Sequence, residues 1–170
     1  MLRFLFPRLT PESVGGAALF EWTTAQARAT HWYVEGGVED TIDGRFAILA
    51  TITALVSVRL EQAGESGTAT NVALTERFIA VMEAEHRELG LGDPALGRTV
   101  RKLVGSLGRR VELWRIAIAG GDWYETVRRS VVGEGELPPE SLTHAADRIR
   151  NLWQKLKGSS DSALLKGRIA

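Results

Sequence analysis

One segment of the sequence has the spacing of a metal-binding helix. Glu83 and His86 are three residues apart, so a helix would place a carboxylate and an imidazole on one face. Carboxylate-bridged di-iron bundles use this Glu-x-x-His spacing, but they need two such pairs and two further glutamates. The sequence has no second pair, and Glu140 and His144 are four residues apart. We therefore predict that these polar residues bind no metal or other cofactor.

Other catalytic patterns are weaker still. His31 has no serine in a Gly-x-Ser-x-Gly elbow to activate, so we interpret it as a residue at a helix end. The glycines of 90–92 and 133–135 lack the strand and the lysine of a phosphate loop. The chain has no cysteine, which excludes disulfides, thiol nucleophiles and cysteine-bound zinc. The sequence thus contains no complete catalytic pattern of these kinds.

A basic stripe is the strongest charged feature. Its members share the side of one predicted helix that faces away from the apolar residues: Arg98, Arg101, Lys102 and Arg109. The stripe lacks the interleaved aromatic residues typical of single-strand nucleic-acid binding, so no specific nucleic acid is predicted. Residues 1–90 carry 7 basic and 12 acidic side chains, a net −5, whereas residues 91–170 carry 14 and 9, a net +5. Both a partner-binding face and a solvated helix back remain open for the stripe.

These side chains must be positioned by helices, because helical periodicity runs through nearly the whole chain and strand-like alternation is nowhere convincing. The predicted helices are 10–33, with an interruption at 15–16, then 41–62, 70–89, 93–119, 122–132 and 139–156. Residues 64–68 are expected to form a flexible loop, and the segment from Gly158 is expected to fray unless Leu164 and Leu165 dock. We predict an all-α fold, one domain of about six helices.

The helix at 41–62 is predicted to lie at the centre of that domain. It has a wide apolar face, formed by Ile42, Phe46, Leu49, Ile52, Val56 and Leu60. Alanine and serine cover much of its other side, which allows close neighbours on several sides. Asp40 or Thr41 is expected to cap its first turn, and Asp43 suits the positive end of the helix dipole. Gly44 is either a site of close backbone approach or a tolerated early-helix glycine.

Four segments together resemble a known family: Gln26–Arg28, Gly37–Phe46, Leu89–Asp93 and Gly97–Lys102. They are similar to the ubiquinol-cytochrome c chaperone family, and the specific part is Asp40-Thr41-x-x-Gly44-Arg45-Phe46. The resemblance covers about 17–131. It implies a helical assembly chaperone that is not an enzyme and that engages newly made cytochrome b for the bc1 complex. A generic helical interaction or regulatory module without that client is the alternative.

The expected binding residues follow from the signature and the charge pattern. The partner-binding candidates are Asp40, Thr41, Asp43, Arg45, Arg98, Arg101, Lys102 and Arg109. The candidates for contact with an apolar client are Met82, Trp114, Trp123 and Tyr124, since methionine and amphipathic aromatic rings suit an adaptable groove. The competing interpretation is structural, with Arg45 paired to an acid, the stripe in water and these apolar side chains in the core.

The expected organisation is a leader at 1–9, a helical domain at 10–157 and a tail at 158–170. The longest uncharged run, 46–58, has 13 residues, fewer than the roughly 18–20 that span a bilayer. We therefore predict no transmembrane segment and a cytoplasmic location, with peripheral contact at the inner membrane and proximity to the ribosome kept open. The short leader favours a bacterial origin over a mitochondrial one.

Overall fold

The computed structural model describes residues 14–90, 92–133 and 135–170, and this part of the chain is all-α. The helices are α1 (Val14–Ala27), α2 (Ile42–Leu60), α3 (Gly64–Glu88), α4 (Asp93–Ile118), α5 (Trp123–Val131), α6 (Pro139–Gly158) and the short α7 (Asp161–Leu165). Two 3₁₀ turns, Thr30–Trp32 and Glu61–Ala63, connect them. The leader at 1–9 and the expected helix start near Thr10 lie outside the described residues.

Helix α2 is the centre of the fold, as the sequence predicts. Every residue from Ala47 to Leu60 is buried, and α1, α3, α4, α5 and α6 all pack against it. The expected cap is also present, because the Thr41 side-chain oxygen accepts a hydrogen bond from the Gly44 N–H over 3.2 Å. Ile52 is completely buried, whereas Phe46, nearer the helix start, is only half-buried. Phe46 therefore stands where the core meets the surface.

The prediction of a flexible loop at 64–68 is wrong. After the turn Glu61–Ala63, the chain reverses at Gly64 and α3 begins at once. Gly67 is buried there, and a Cβ atom on it would lie 2.1 Å from the Leu60 carbonyl oxygen. The glycines that suggested a loop instead let the first turn of α3 pass close to the end of α2.

The first helix also differs from the prediction. Helix α1 runs without the expected break at 15–16 and ends at Ala27, not near Tyr33. The Trp32 indole N–H donates to the Gln26 carbonyl over 2.8 Å, which holds the following segment back against the end of α1. A local tertiary contact has replaced the last predicted turns.

The tail after Gly158 is not frayed in the structure. Helix α7 forms there, and Leu164 is fully buried. Arg59 on α2 reaches this segment and donates to the Leu156 and Ser159 carbonyls and to Asp161. A buried arginine on the central helix thus anchors the end of the chain.

One stretch of the fold has the length and composition of a membrane span. It runs over Ile42–Glu88, but 78% of its most apolar window is buried inside the protein. The core helix of a helical domain passes the same test of length and composition, and burial of α2 by its neighbours accounts for its apolar character.

Candidate functional site

The turn that leads into α2 carries the most specific sequence signature, and its polar residues contact one another. Arg45 donates to Asp40 over 2.6 Å, and both side chains are largely exposed. This bond lowers the pKa of the Asp40 carboxyl and raises the pKa of Arg45. Arg45 is therefore paired to an acid, as the structural interpretation expected, while remaining at the surface.

Gly44 makes the shape of this turn possible. A Cβ atom at this position would lie 1.9 Å from the Glu39 carbonyl oxygen and 3.2 Å from a Val38 methyl group. The backbone at 38–39 thus crosses directly over the start of α2. The structure decides between the two interpretations of Gly44 in favour of close backbone approach.

One pocket lies on the α1 and α3 side of this turn, and we call it the Arg45 pocket. Its volume is about 400 Å³. Apolar side chains of α2 and α3, including Phe46 and the buried Met82, line its inner part. Arg28, Asp40 and Arg45 also line it, so charged groups stand beside the apolar surface.

A second pocket lies on the α4 side of the same turn, and we call it the Lys102 pocket. Its volume is about 550 Å³. Thr41 and Asp43 line it from the start of α2, while Lys102 and Arg109 line it from α4. Phe46 lines both pockets, so the signature turn forms a ridge between them.

The structure divides the basic stripe. All four stripe residues are exposed, but only Lys102 and Arg109 line the Lys102 pocket. Arg98 and Arg101 line neither pocket beside the signature turn. Lys102 and Arg109 thus share a pocket with Thr41 and Asp43 of the signature turn, whereas Arg98 and Arg101 do not.

Sequence reasoning missed Arg110. Its side chain is half-buried, its Nε donates to the Ser130 carbonyl over 2.9 Å, and its guanidinium lies 5.5 Å from the Phe46 ring centre. Burial, with a smaller effect of the neighbouring Arg109 charge, lowers the pKa of Arg110 to about 10. A signal existed, because Arg110 falls within about 60° of Leu107 on the apolar face of the helix.

The aromatic candidates have different positions. Trp114 is fully buried and packs edge-to-face against Trp123, with ring centres 5.0 Å apart. Trp123 is half-buried and its indole N–H donates to the Ala146 carbonyl over 3.2 Å. Tyr124 is 43% exposed. Trp114 is therefore a core residue and not a residue of the rim, and Tyr124 is the accessible member of the group.

The histidines are also placed by the fold. His86 Nδ1 lies 2.8 Å from the Met82 carbonyl, within its own helix. His31 and His144 face each other with 3.2 Å between ring nitrogens. Burial, Arg148 and His144 together lower the pKa of His31, with Glu35 opposing them. In the described part of the chain, no group of three or more His, Asp or Glu side chains could hold a metal ion.

Comparison with known proteins adds a family and a fold. The family model described as ubiquinol-cytochrome C chaperone matches residues 34–170. The signature turn lies inside that match and Gln26–Arg28 lies before it. The crystal structure of the Cbp3 homolog from Brucella abortus is similar, with 23% identity, a TM-score of 0.79 and coverage of 94% of this chain and 89% of that chain. No curated protein matches significantly in sequence.

Proposed function

The chain belongs to the ubiquinol-cytochrome C chaperone family, and from that membership we propose that it is a non-enzymatic assembly factor for the bc1 complex. Its client in this proposal is newly made cytochrome b, an apolar membrane subunit. The protein would hold that subunit until it joins the complex, and it would transform no substrate.

The placement of the family signature carries this proposal. The turn at 37–46 lies within the family match and separates two pockets that share Phe46. Both combine an apolar wall with charged residues at the edge. An extended client segment needs such a surface, because its apolar side chains must leave water while its polar backbone still needs partners.

In this proposal, the charged side chains that line the two pockets orient the bound client. Asp40 and Arg45 satisfy each other, whereas Arg28 and Lys102 have no ion pair in the described part of the chain. Arg28 lines the Arg45 pocket and Lys102 lines the pocket on the other side. These two cations are available to client carbonyl or carboxylate groups, and exposed cations of this kind steer association.

We further place the protein in the cytoplasm, peripheral to the inner membrane, where a membrane subunit is delivered. The net charge of +5 on residues 91–170 also suits an anionic surface such as a ribosome. The position beside the inner membrane and the contact with a ribosome are both part of the proposal.

A deletion strain complemented with surface variants tests this function. Arg28→Glu/Lys102→Glu reverses one charge at each pocket, and Arg98→Glu/Arg101→Glu reverses two exposed charges outside them. Both variants are expected to fold, because exposed substitutions usually change stability by no more than about 0.5 kcal/mol.

The pocket variant is expected to lower cytochrome b content and bc1 activity, while the control restores them. Normal bc1 levels in the deletion strain itself, without a redundant paralogue, would overturn the assembly role. Full rescue by the pocket variant would remove the pockets from the proposal and leave the family assignment standing.

A further inference from the structure

A third cavity lies between α4 and α5, and we call it the arginine groove. Its volume is about 820 Å³, and it adjoins the Lys102 pocket through shared wall residues. Four of the eight residues that line it are arginines, namely Arg109, Arg110, Arg128 and Arg129. Glu112 is its single acidic wall residue.

The acid in the groove is already engaged. Glu112 forms an ion pair with Arg115, which also bonds Glu61 over 2.7 Å. Arg128 is paired as well, with its guanidinium 2.8 Å from Glu125. The remaining groove arginines, 109, 110 and 129, have no carboxylate partner in the described part of the chain. The groove therefore holds a surplus of positive charge.

Arg110 is held in place by neutral groups alone. Its Nε donates to the Ser130 carbonyl, and its Nη1 donates to the carbonyl and the side-chain oxygen of Ser106. Its Nη2 has no hydrogen-bond partner among the described residues. A fixed, half-buried guanidinium with a free donor is a fork that matches a phosphate or carboxylate oxygen.

Two exposed side chains, Ile116 and Tyr124, lie beyond one end of the groove. Leu113 is part of its wall, and Ile116 lies one helical turn further along α4 and is 56% exposed. On α5, Tyr124 lies one turn before Arg128 and is 43% exposed. Both exposed side chains thus stand toward the short turn that joins α4 to α5. Apolar and tyrosine side chains beside clustered arginines are typical of proteins that contact lipid headgroups.

We propose that the arginine groove binds a phosphate group, and that its expected source is the headgroup of an anionic phospholipid. Arg110 and Arg129 would contact the phosphate, and Ile116 and Tyr124 would meet the adjoining lipid. The groove shares Arg109 and Arg110 with the wall of the Lys102 pocket, whereas Arg128 and Arg129 line neither signature pocket. The proposal does not depend on the client proposed above. It would hold the protein at a membrane surface.

Binding is measured on the purified full chain with two sets of probes. Vesicles of phosphatidylglycerol are compared with vesicles of phosphatidylcholine by co-sedimentation, and inorganic phosphate and pyrophosphate are titrated by calorimetry. The groove variant is Arg110→Gln/Arg129→Gln. Its matched control is Arg98→Gln/Arg101→Gln, which also removes two positive charges, both of them on α4 outside the groove. Arg129→Gln alone serves if loss of Arg110 impairs folding.

The wild type is expected to bind phosphatidylglycerol and not phosphatidylcholine. The groove variant is expected to bind roughly 10- to 30-fold more weakly, since each arginine near an anionic surface contributes about 1 kcal/mol. The control is expected to bind no more than about threefold more weakly, because its arginines lie outside the groove. Ile116→Ser/Tyr124→Ser is expected to weaken vesicle binding without changing phosphate affinity.

Groove-dependent binding of free phosphate without vesicle binding would keep the site and assign it a soluble source. Equal losses in groove and control variants would show attraction by net charge alone and overturn the proposal, as would no binding of any probe. Arg129→Gln changes no residue that lines a signature pocket, so a loss of vesicle binding in this variant is distinguishable from a failure of the bc1 assembly proposal.

Discussion

At the scale of single residues, Gly44 has a defined structural role that the sequence left open. Its missing side chain lets the Glu39 carbonyl lie against the start of α2. Gly44→Ala is expected to lower the free energy of unfolding by about 1–3 kcal/mol, because the added carbon forces this crossing apart. Urea unfolding measures the change.

Gly108→Ala is the matched control, because Gly108 is an exposed glycine within α4 and a Cβ there meets nothing within 4 Å. It is expected to be neutral or to stabilise the protein by up to about 1 kcal/mol, the usual difference between the two residues in a helix. Equal effects of the two substitutions would contradict the role of Gly44.

His31 predicts a dependence of stability on pH. Its pKa is lowered in the folded protein, so at mildly acidic pH the unfolded chain binds more protons than the folded one. The stabilising effect of its neutral form is complete above about pH 6.5 and is lost as the pH falls below that value. The melting temperature is therefore expected to fall as the pH is lowered from 7.5 to 5.5.

His31→Gln is expected to flatten this profile, whereas His86→Gln keeps it, because His86 lies on another helix and bonds only within it. The carboxyls of Asp40 and Glu125 have lowered pKa values and titrate at lower pH. A melting temperature that stays constant or rises on acidification would contradict the assignment.

Residue-level prediction from sequence succeeded where the chemistry is local. The Thr41 cap follows from the residues beside it in the sequence. Arg110 needed tertiary knowledge, because its partner Ser130 lies on another helix. Its position at the edge of the apolar stripe of α4 was the one local indication that it has a special role.

At the scale of elements, amphipathic periodicity predicted α2, α4, α5 and α6 to within a few residues. It failed where one element packs tightly on another. Gly67 is typical of a loop in the sequence, but in the structure a Cβ atom on it would lie 2.1 Å from the Leu60 carbonyl oxygen. The segment after Gly158 is predicted to fray, but in the structure Arg59 donates hydrogen bonds to Ser159 and Asp161 within it. Neither contact is encoded in the neighbouring sequence.

Arg59 supplies the test at this scale. Arg59→Met keeps the apolar stem and removes the bonds to Leu156, Ser159 and Asp161. It is expected to cost about 1–3 kcal/mol, because buried carbonyl groups lose their donor. Limited proteolysis is expected to cut the segment after Gly158 faster in the variant.

Asp161→Asn removes only the ion pair, whose acid is 54% exposed. It is expected to cost no more than about 1 kcal/mol, because the carboxyl is open to water and Arg59 keeps its two carbonyl acceptors. Unchanged stability and unchanged proteolysis of Arg59→Met would mean that the tail is held by Leu164 alone.

At the scale of the whole molecule, the sequence predicted the fold class and the family, and both are confirmed. It could not predict the pockets, because Arg28 follows α1 while Phe46 and Lys102 lie on α2 and α4, and the packing of these elements is not local. Met82 and Trp114 show the same limit, since their residue types suit a binding rim but the fold buries both. The assignment of particular residues to a client remains a proposal.

Photo-crosslinking during protein synthesis is the most direct test of that proposal. A photoreactive amino acid replaces Arg28 at the Arg45 pocket, or Arg98 on the exposed face of α4 outside both signature pockets, in otherwise unchanged full-length protein. Newly labelled cytochrome b is expected to form an adduct at position 28 and not at position 98. An adduct only at position 98, or none at either position while the chain still supports bc1 assembly, would contradict the account.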